Sequence, residues 1–436
     1  MNGFTIQCPT AKIVYQKQRR QDPDKTGKRS EAFKGTPNQL MKNYLVIGAG
    51  IAGCSAALDL ALQGNAVTVV EKTSRIGGKV LSYCCKATDS CSRCGVCVAH
   101  ERISAALRQP NVTILAGARI ETVRPDGART LVKGFSSNPA FRYRACVDCG
   151  ACIAACPQKC ISRYSRGGLI FYSIDYSSCR LHAGRKCAAC VEACSMDALR
   201  ADGSESPFSL PVDRVLVATG HETFDPVVKP RLGYRRIAGV MTGFEAEQTL
   251  SGSMHLEGAG KGPARNVAFI QCVGSRDPGI GRNFCSSICC AYALRMARIL
   301  KARRPETEVT VYYIDIQNFD KAFTPLRAEL QGMGVRFVRG VPFSVASASS
   351  GNLRLLIEDP QGARATAEHD AVVLSVGMEA SGSSARTATL FGLDRDEFGF
   401  LKPRAPGVRV AGTCAEPQGI ADSVASARAA ALEMLA

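Results

Sequence analysis

From Lys42 onward the apolar positions fall into alternating strand and helix patterns, whereas residues 1–40 show no hydrophobic period. Asn43–Ile47 is a short apolar run of the kind a buried parallel strand carries. Gly48-Ala49-Gly50-Ile51-Ala52-Gly53 follows at once, and Cys54–Leu62 reads as a helix of small residues ending near Gly64. Ala66–Val70 is the next strand, closed by Glu71. Much later, Val215–Val217 leads into Ala218-Thr219-Gly220, and Gly407–Thr413 forms another apolar strand with a turn at Gly412. A second strand–helix–strand unit occupies Asn266–Gln271, Ser286–Lys301 and Glu308–Ile314. Val372–Gly377 is then expected to return the chain to the first unit.

The order strand, G-x-G-x-x-G, helix, strand, acid is the pattern of a dinucleotide-binding unit. Gly48 permits a tight turn, Gly50 lets the backbone approach a pyrophosphate, and Gly53 lets the helix pack closely on the sheet. The helix N-terminus offers N–H donors and a positive dipole to phosphate. Glu71 lies 18 residues after Gly53, where an acid accepts from ribose hydroxyls. Glu71-Lys72 and the following Gly77-Gly78 resemble the E-K-x-x-x-x-G-G segment of flavoproteins with two dinucleotide domains, and that resemblance implies FAD. The second unit has no such glycines after its first strand. It carries Cys272-Val-Gly-Ser-Arg276 instead, so a nicotinamide nucleotide is not expected there.

Between these halves the chain changes character. Cys146-Val-Asp-Cys149-Gly-Ala-Cys152-Ile-Ala-Ala-Cys156-Pro157 has the bacterial ferredoxin spacing C-x2-C-x2-C-x3-C-P. A looser second run is Cys179, then Cys187-Ala-Ala-Cys190-Val-Glu-Ala-Cys194. In two-cluster ferredoxins the last thiolate of each run serves the other cluster. Cys146, Cys149, Cys152 and Cys194 are therefore expected to hold one [4Fe-4S] cluster. Cys179, Cys187, Cys190 and Cys156 are expected to hold the other. Zinc knuckles use two C-x2-C pairs and not this run.

Composition narrows the setting. Twenty-one cysteines in 436 residues exceed what a reduced cytosolic protein carries without metal. No N-terminal apolar leader and no run of 18 apolar residues is seen, so the expected location is cytoplasmic, with docking on a membrane complex left open. The formal net charge is +17. Three four-thiolate clusters and one FAD lower this to about +9. Residues 1–40 hold eight Lys/Arg against three Asp/Glu, so much of the remainder sits in a basic tail that is either disordered or a start-site artefact. Nucleic-acid binding is not expected. A basic surface suits an acidic electron-transfer partner.

The ordered combination resembles the HdrA-like flavoproteins, the FAD-binding component of heterodisulfide reductase and its relatives. The resemblance rests on Gly48–Gly53, Glu71, Gly77-Gly78 and Ala218-Thr219-Gly220. It also rests on Cys272-Val-Gly-Ser-Arg276 with Cys285, Cys289 and Cys290, and on Val410-Ala411-Gly412 with Pro417 and Ile420-Ala-Asp-Ser423. It implies an α/β fold: two Rossmann-type domains of the thioredoxin-reductase-like flavoprotein kind, with an inserted α+β bacterial-type ferredoxin domain. The expected parts are an FAD domain at 41–143, 204–253 and 376–436, the insert at 144–203, and a second Rossmann-like domain at 254–375. The resemblance further implies that Cys272, Cys285, Cys289 and Cys290 hold a third [4Fe-4S] cluster near the flavin. The function implied is that of an FAD-dependent oxidoreductase, working within a complex and passing electrons between FAD and clusters. Its partners would be the other subunits of an Hdr-like complex and a soluble electron donor or acceptor, and a homodimer is compatible with the family. The extra N- and C-terminal iron–sulfur regions of the full-length methanogen type are not found.

Cys84, Cys85, Cys91, Cys94 and Cys97 remain. Cys91-x2-Cys94-x2-Cys97 has cluster-like spacing, with Cys84 or Cys85 as a fourth ligand. A Cys94/Cys97 redox disulfide facing the flavin is the alternative, and it would make the protein a self-contained disulfide reductase fed by NAD(P)H or ferredoxin. Thiols with structural or no defined roles are a third reading of this group; for the whole protein, a non-catalytic scaffold whose clusters only stabilise the fold is a further alternative. Cys8, Cys54, Cys160 and Cys414 are read as spare. None of the five histidines has metal-like spacing.

Overall fold

The computed structural model describes residues 41–436 apart from positions 138, 144, 167–168, 202–204, 261 and 318–322. The expected basic tail and Cys8 lie outside the described residues. Strand β1 (Asn43–Ile47) leads into helix α1 (Ile51–Leu62), strand β2 (Ala66–Glu71), helix α2 (Val96–Arg108) and strand β3 (Val112–Ala116). β1 is the middle strand of a five-stranded parallel sheet, flanked by β2 and β3 on one side and by Arg214–Val217 and Val408–Val410 on the other. α1 starts at Ile51, ahead of the expected Cys54, and is buried on nearly every side. Ala52, Gly53, Cys54, Ser55, Ala56 and Ala57 give its first two turns a face of small residues. It is wedged between the sheet and the C-terminal helix Ile420–Leu435, whose Ala427, Ala430 and Ala431 share its core. Tyr44 Oη donates to the Met434 carbonyl at 3.0 Å and ties that helix to β1.

The opposite face of this sheet is covered by a three-stranded antiparallel sheet, Ala118–Asp126, Arg129–Ser137 and Glu205–Val212. Ile120, Val132 and Val212 supply its inward side chains. The cysteine-rich insert leaves from the hairpin between Arg129–Ser137 and Glu205–Val212, and Ala140–Phe141 pairs with Leu199–Arg200 across its base. Inside it are a hairpin, Ile161–Arg166 with Leu169–Ile174, and two short helices, Ala151–Ala155 and Ala189–Glu192. The insert is not a loose appendage. Phe171 is buried in the core beneath α1, Tyr143 Oη donates to the Ser74 carbonyl at 2.6 Å, and Ser74 Oγ accepts from the Ile174 amide at 2.9 Å.

The second unit repeats the plan. Its parallel sheet runs Val240–Thr242, Ala371–Val376, Asn266–Val273, Glu308–Tyr313, Arg336–Arg339. One face carries helix Cys289–Arg303 and helix Gly243–Gly252, the other the antiparallel sheet Val341–Ser347, Leu353–Glu358, Arg364–His369. Two expectations change here. Val372–Val376 belongs to this sheet and does not return the chain to the first unit, and the unit begins with Val240 rather than after residue 253. The return is made by Met378–Ala380, which pairs antiparallel with His221–Thr223.

Candidate functional site

The turn after β1 is forced to be glycine by its neighbours. Gly48 has φ +101°, and a Cβ there would stand 2.3 Å from the Ala218 carbonyl oxygen. A Cβ on Gly53 would stand 1.9 Å from the Gly48 carbonyl oxygen. Gly50 is different: a Cβ there meets nothing within 4 Å of the protein, and a Cβ on Gly78 would stand 3.1 Å from its Cα. The pair makes a notch bare of side chains. α1 opens on this notch with no side-chain cap and no acid in its first turn, so its leading N–H groups are available to an anion. Gly220 and Gly412 both have positive φ on the neighbouring strand ends. The Thr219 hydroxyl between them is buried beside the Cys414 thiol and makes no other hydrogen bond among the described residues. An open glycine notch, uncapped donors and an underused hydroxyl fit a dinucleotide.

Glu71 has a second role that the sequence did not disclose. Its carboxylate accepts from the Ala49 amide at 2.9 Å and from the Thr73 amide and hydroxyl at 2.9 and 2.8 Å. Gly77 N–H donates to the Ala49 carbonyl at 2.8 Å. Segment 71–78 is thereby knitted to the glycine turn. Lys72 is exposed beside it. Lys79 Nζ donates to the His221 carbonyl at 2.8 Å, and burial lowers the lysine's pKa. His221 Nδ1 lies 2.8 Å from Thr413 Oγ1, and burial holds this imidazole at about 3, uncharged at neutral pH.

In the insert, Cys146, Cys149, Cys152 and Cys194 line one cavity with Phe141, Tyr172 and Leu199. Cys156, Cys179, Cys187 and Cys190 line a second, between Pro139, Ile161 and Ile174. The loop of the first cavity is braced by Asp148, which accepts from Arg163 at 2.5 and 2.7 Å and from Tyr172 Oη at 2.6 Å; these donors hold its carboxyl at about 2. Cys160, set aside in the sequence, also lines the second cavity, with its sulfur 3.4 Å from that of Cys156. Burial pushes Cys190 up to about 11, with Cys156, Cys179 and Cys187 adding to the rise. Thiols that oppose one another's ionisation in an apolar pocket are stabilised as thiolates by a cationic iron core.

The second unit gathers Cys272, Cys285, Cys289 and Cys290. A bulge between Ile270 and Val273 breaks the strand register, and Cys272 sits in it at φ +59°. Ser287 at φ +59° delays the helix, so Cys289 and Cys290 open it instead of Ser286. Burial pushes Cys272 up to about 12, followed by the charges of Cys290 and Cys285; Cys289 is raised by burial and then by Cys272, Cys290 and Cys285. Gln271, next to Cys272, is buried with both amide atoms unpartnered among the described residues. The Ser286 hydroxyl accepts from the Met378 amide at 2.8 Å, which links this loop to the ladder leaving Gly220.

Cys84 takes no part with Cys91, Cys94 and Cys97. It is buried in the core of the second unit and donates to Glu247 Oε2 at 3.2 Å; burial and then the Glu247 charge push its thiol up to about 12. Lys86 pairs with Glu247 at 2.5 Å, the two side chains 4 % and 5 % exposed. An ion pair this far apart in sequence leaves no local signal. Cys54 and Cys414 are buried and donate to backbone carbonyls. Cys94 and Cys97 are not joined by a disulfide.

The comparisons with known proteins agree with this frame. The NAD(P)-binding Rossmann-like domain family matches residues 46–113. The A-type iron–sulfur subunit of CoB–CoM heterodisulfide reductase from Methanocaldococcus jannaschii is 32 % identical over 92 % of the chain and 66 % of its own length. The corresponding A-type subunit of the H2:CoB–CoM heterodisulfide, ferredoxin reductase from Methanothermobacter marburgensis is 31 % identical over 89 % of the chain and 62 % of its own length. The chain thus spans no more than about two thirds of these relatives. Among solved structures, thioredoxin reductases of T. acidophilum and Lactococcus lactis cover 90 % of the chain and 98 % of their own length. Their TM-scores are 0.50 and 0.51, at 14 % and 12 % identity. These share the fold.

Proposed function

We propose a function from one premise: the chain belongs to the HdrA family of heterodisulfide reductase components. It is an FAD- and iron–sulfur-dependent oxidoreductase that serves electron transfer within a larger complex. FAD supplies the exchange between electron pairs and single electrons, and [4Fe-4S] clusters supply one-electron steps. Gly48, Gly50 and Gly53, with Gly78, Thr219, Gly220 and Gly412, hold the dinucleotide. The α1 N-terminus binds its pyrophosphate, and Glu71 fixes the turn while keeping lone pairs for the ribose. Cys146, Cys149, Cys152 and Cys194 hold one cluster, Cys156, Cys179, Cys187 and Cys190 a second, and Cys272, Cys285, Cys289 and Cys290 a third. Cys272, Cys285, Cys289 and Cys290 would hold the cluster nearest the flavin, because their loop is tied through Ser286 to the strand pair that leaves Gly220. The clusters held by the insert's cysteines would supply the one-electron exchange with a partner protein.

The observation that carries this reading is the sorting of the insert's thiols onto two separate cavities, each lined by thiols from both halves of the ferredoxin run. Among the described residues no helix is long and apolar enough to cross a membrane. The test is anaerobic purification with iron, sulfide and flavin quantitation, followed by EPR during dithionite and NADH titration. The expected result is one FAD, at least about twelve irons per chain, and reduction by dithionite but not by NADH. About eight irons would remove the third site. Fast reduction by NADH would return the self-contained disulfide reductase to first place.

A further inference from the structure

Cys91-Ser-Arg-Cys94-Gly-Val-Cys97 and Cys146-Val-Asp-Cys149-Gly-Ala-Cys152 share more than spacing. In each, the residue before the middle cysteine is left-handed without being glycine: Arg93 at φ +51° and Asp148 at φ +60°. In each, the residue after the middle cysteine is a left-handed glycine: Gly95 at φ +81°, ψ −6° and Gly150 at φ +74°, ψ −1°. In each, that glycine caps a helix whose first residue precedes the third cysteine, Val96–Arg108 and Ala151–Ala155. The two segments therefore share the same left-handed positions on the same C-x2-C-G-x-C register.

The left-handed positions are selective. Eight non-glycine residues have positive φ among the described residues, and all but Arg235 sit in or beside a cysteine loop: Arg93, Asp148, Lys159, Asp197, Cys272, Arg276 and Ser287. Such residues cost on the order of 1 kcal/mol each and persist where a site needs them. The Arg93 amide donates to Cys91 Sγ at 3.4 Å, as Ser287 does to Cys285 Sγ at 3.3 Å. The Ser92 hydroxyl is buried and unpartnered among the described residues, a donor available to a cluster sulfide. Two guanidinium groups of helix Cys289–Arg303 grip the loop: Arg295 Nε donates to the Ser92 carbonyl at 3.2 Å and Arg298 to Ser90 Oγ at 3.1 Å.

We propose that Cys91, Cys94 and Cys97 form a further [4Fe-4S] site on the surface of the flavin domain. Cys84 is committed to Glu247, so Cys85, which is exposed, is the upstream thiol left to supply a fourth bond. The helix that grips the loop begins at Cys289, about 9 Å along its axis from Arg295, so the new site adjoins the third one.

The inference rests on the cluster reading of the Cys146–Cys152 loop, so one experiment tests both. Full-length holoprotein is prepared anaerobically as wild type, Cys94→Ser, Cys97→Ser and Cys149→Ser, and iron, sulfide and FAD are counted. The expected result is about sixteen irons in the wild type and a loss of about four in each variant. FAD should be retained in all, and the EPR signals of the insert's clusters retained in Cys94→Ser and Cys97→Ser. Full iron in Cys94→Ser and Cys97→Ser with about four lost from Cys149→Ser overturns this inference alone. Full iron in all three variants overturns the ferredoxin reading with it. Two separate Cys91–Cys97 variants with FAD as the folding control keep misfolding from imitating the expected loss.

Discussion

The two α/β units are built to one plan and diverge at one place. Each has five parallel strands, helices on one face and a three-stranded antiparallel sheet on the other. In each, the middle strand leads through a turn to the helix packed against it: β1 to α1, and Asn266–Val273 to Cys289–Arg303. In the first unit only Gly48–Gly50 separate strand from helix, and the turn is all backbone. In the second the connection is residues 274–288, preceded by a bulge, and the site is all side chain. The carboxyl end of the middle strand is where such folds place ligands. What is bound there is decided by the length and residue type of the connection, not by the sheet.

The largest test of that contrast is Gly53→Val. The new side chain would enter the space of the Gly48 carbonyl, so at least about a tenfold loss of bound FAD is expected, read as flavin released by acid. Cys289→Ala is the reciprocal change. It should remove about four irons and leave the flavin in place. If either variant loses both cofactors, the two units are not chemically separable.

The joint between the units comes next. Glu247→Gln leaves Lys86 buried without its counter-charge, and about 3–5 kcal/mol of stability should be lost in denaturant unfolding. Lys86→Met with Glu247→Leu should recover most of it. A pH effect follows. His221 and His369 are held by burial at about 3 and about 4, below the unfolded value of about 6.5. Between those values the unfolded chain binds more protons, so stability falls as pH drops from about 6.5, by up to about 1.4 kcal/mol per pH unit for each histidine. His369→Gln should flatten part of that slope in unfolding curves between pH 7 and 5. The smallest effect is Tyr44→Phe, which removes the bond to Met434 and should cost about 1 kcal/mol.

Much of this was written locally in the chain. β1 was read at its observed limits, and Gly48 and Gly53 stand where a Cβ would strike a carbonyl oxygen. The thiol runs of the insert announced themselves by spacing. What was illegible depends on distant partners. Ala371–Val376 is buried on both faces, so it has no alternation to say which sheet it joins. Val240–Thr242 is too short to carry a pattern. Cys84 and Cys85 are neighbours with opposite fates, and only Glu247, 163 residues on, distinguishes them. Cys160 lies four residues after Cys156, as Ala198 lies four after Cys194, and that place is outside the ferredoxin spacing, so nothing local marks it.

The grip of Ser74 on the insert has a mechanical meaning. A domain joined by two chain crossings is ordinarily free to pivot, and a pivoting carrier trades reach for timing. Here the hairpin is bolted to the very segment that closes over the glycine turn, through Ser74, Tyr143 and Phe171. The insert is therefore fastened rather than hinged, and a partner of the clusters proposed for it would have to come to it.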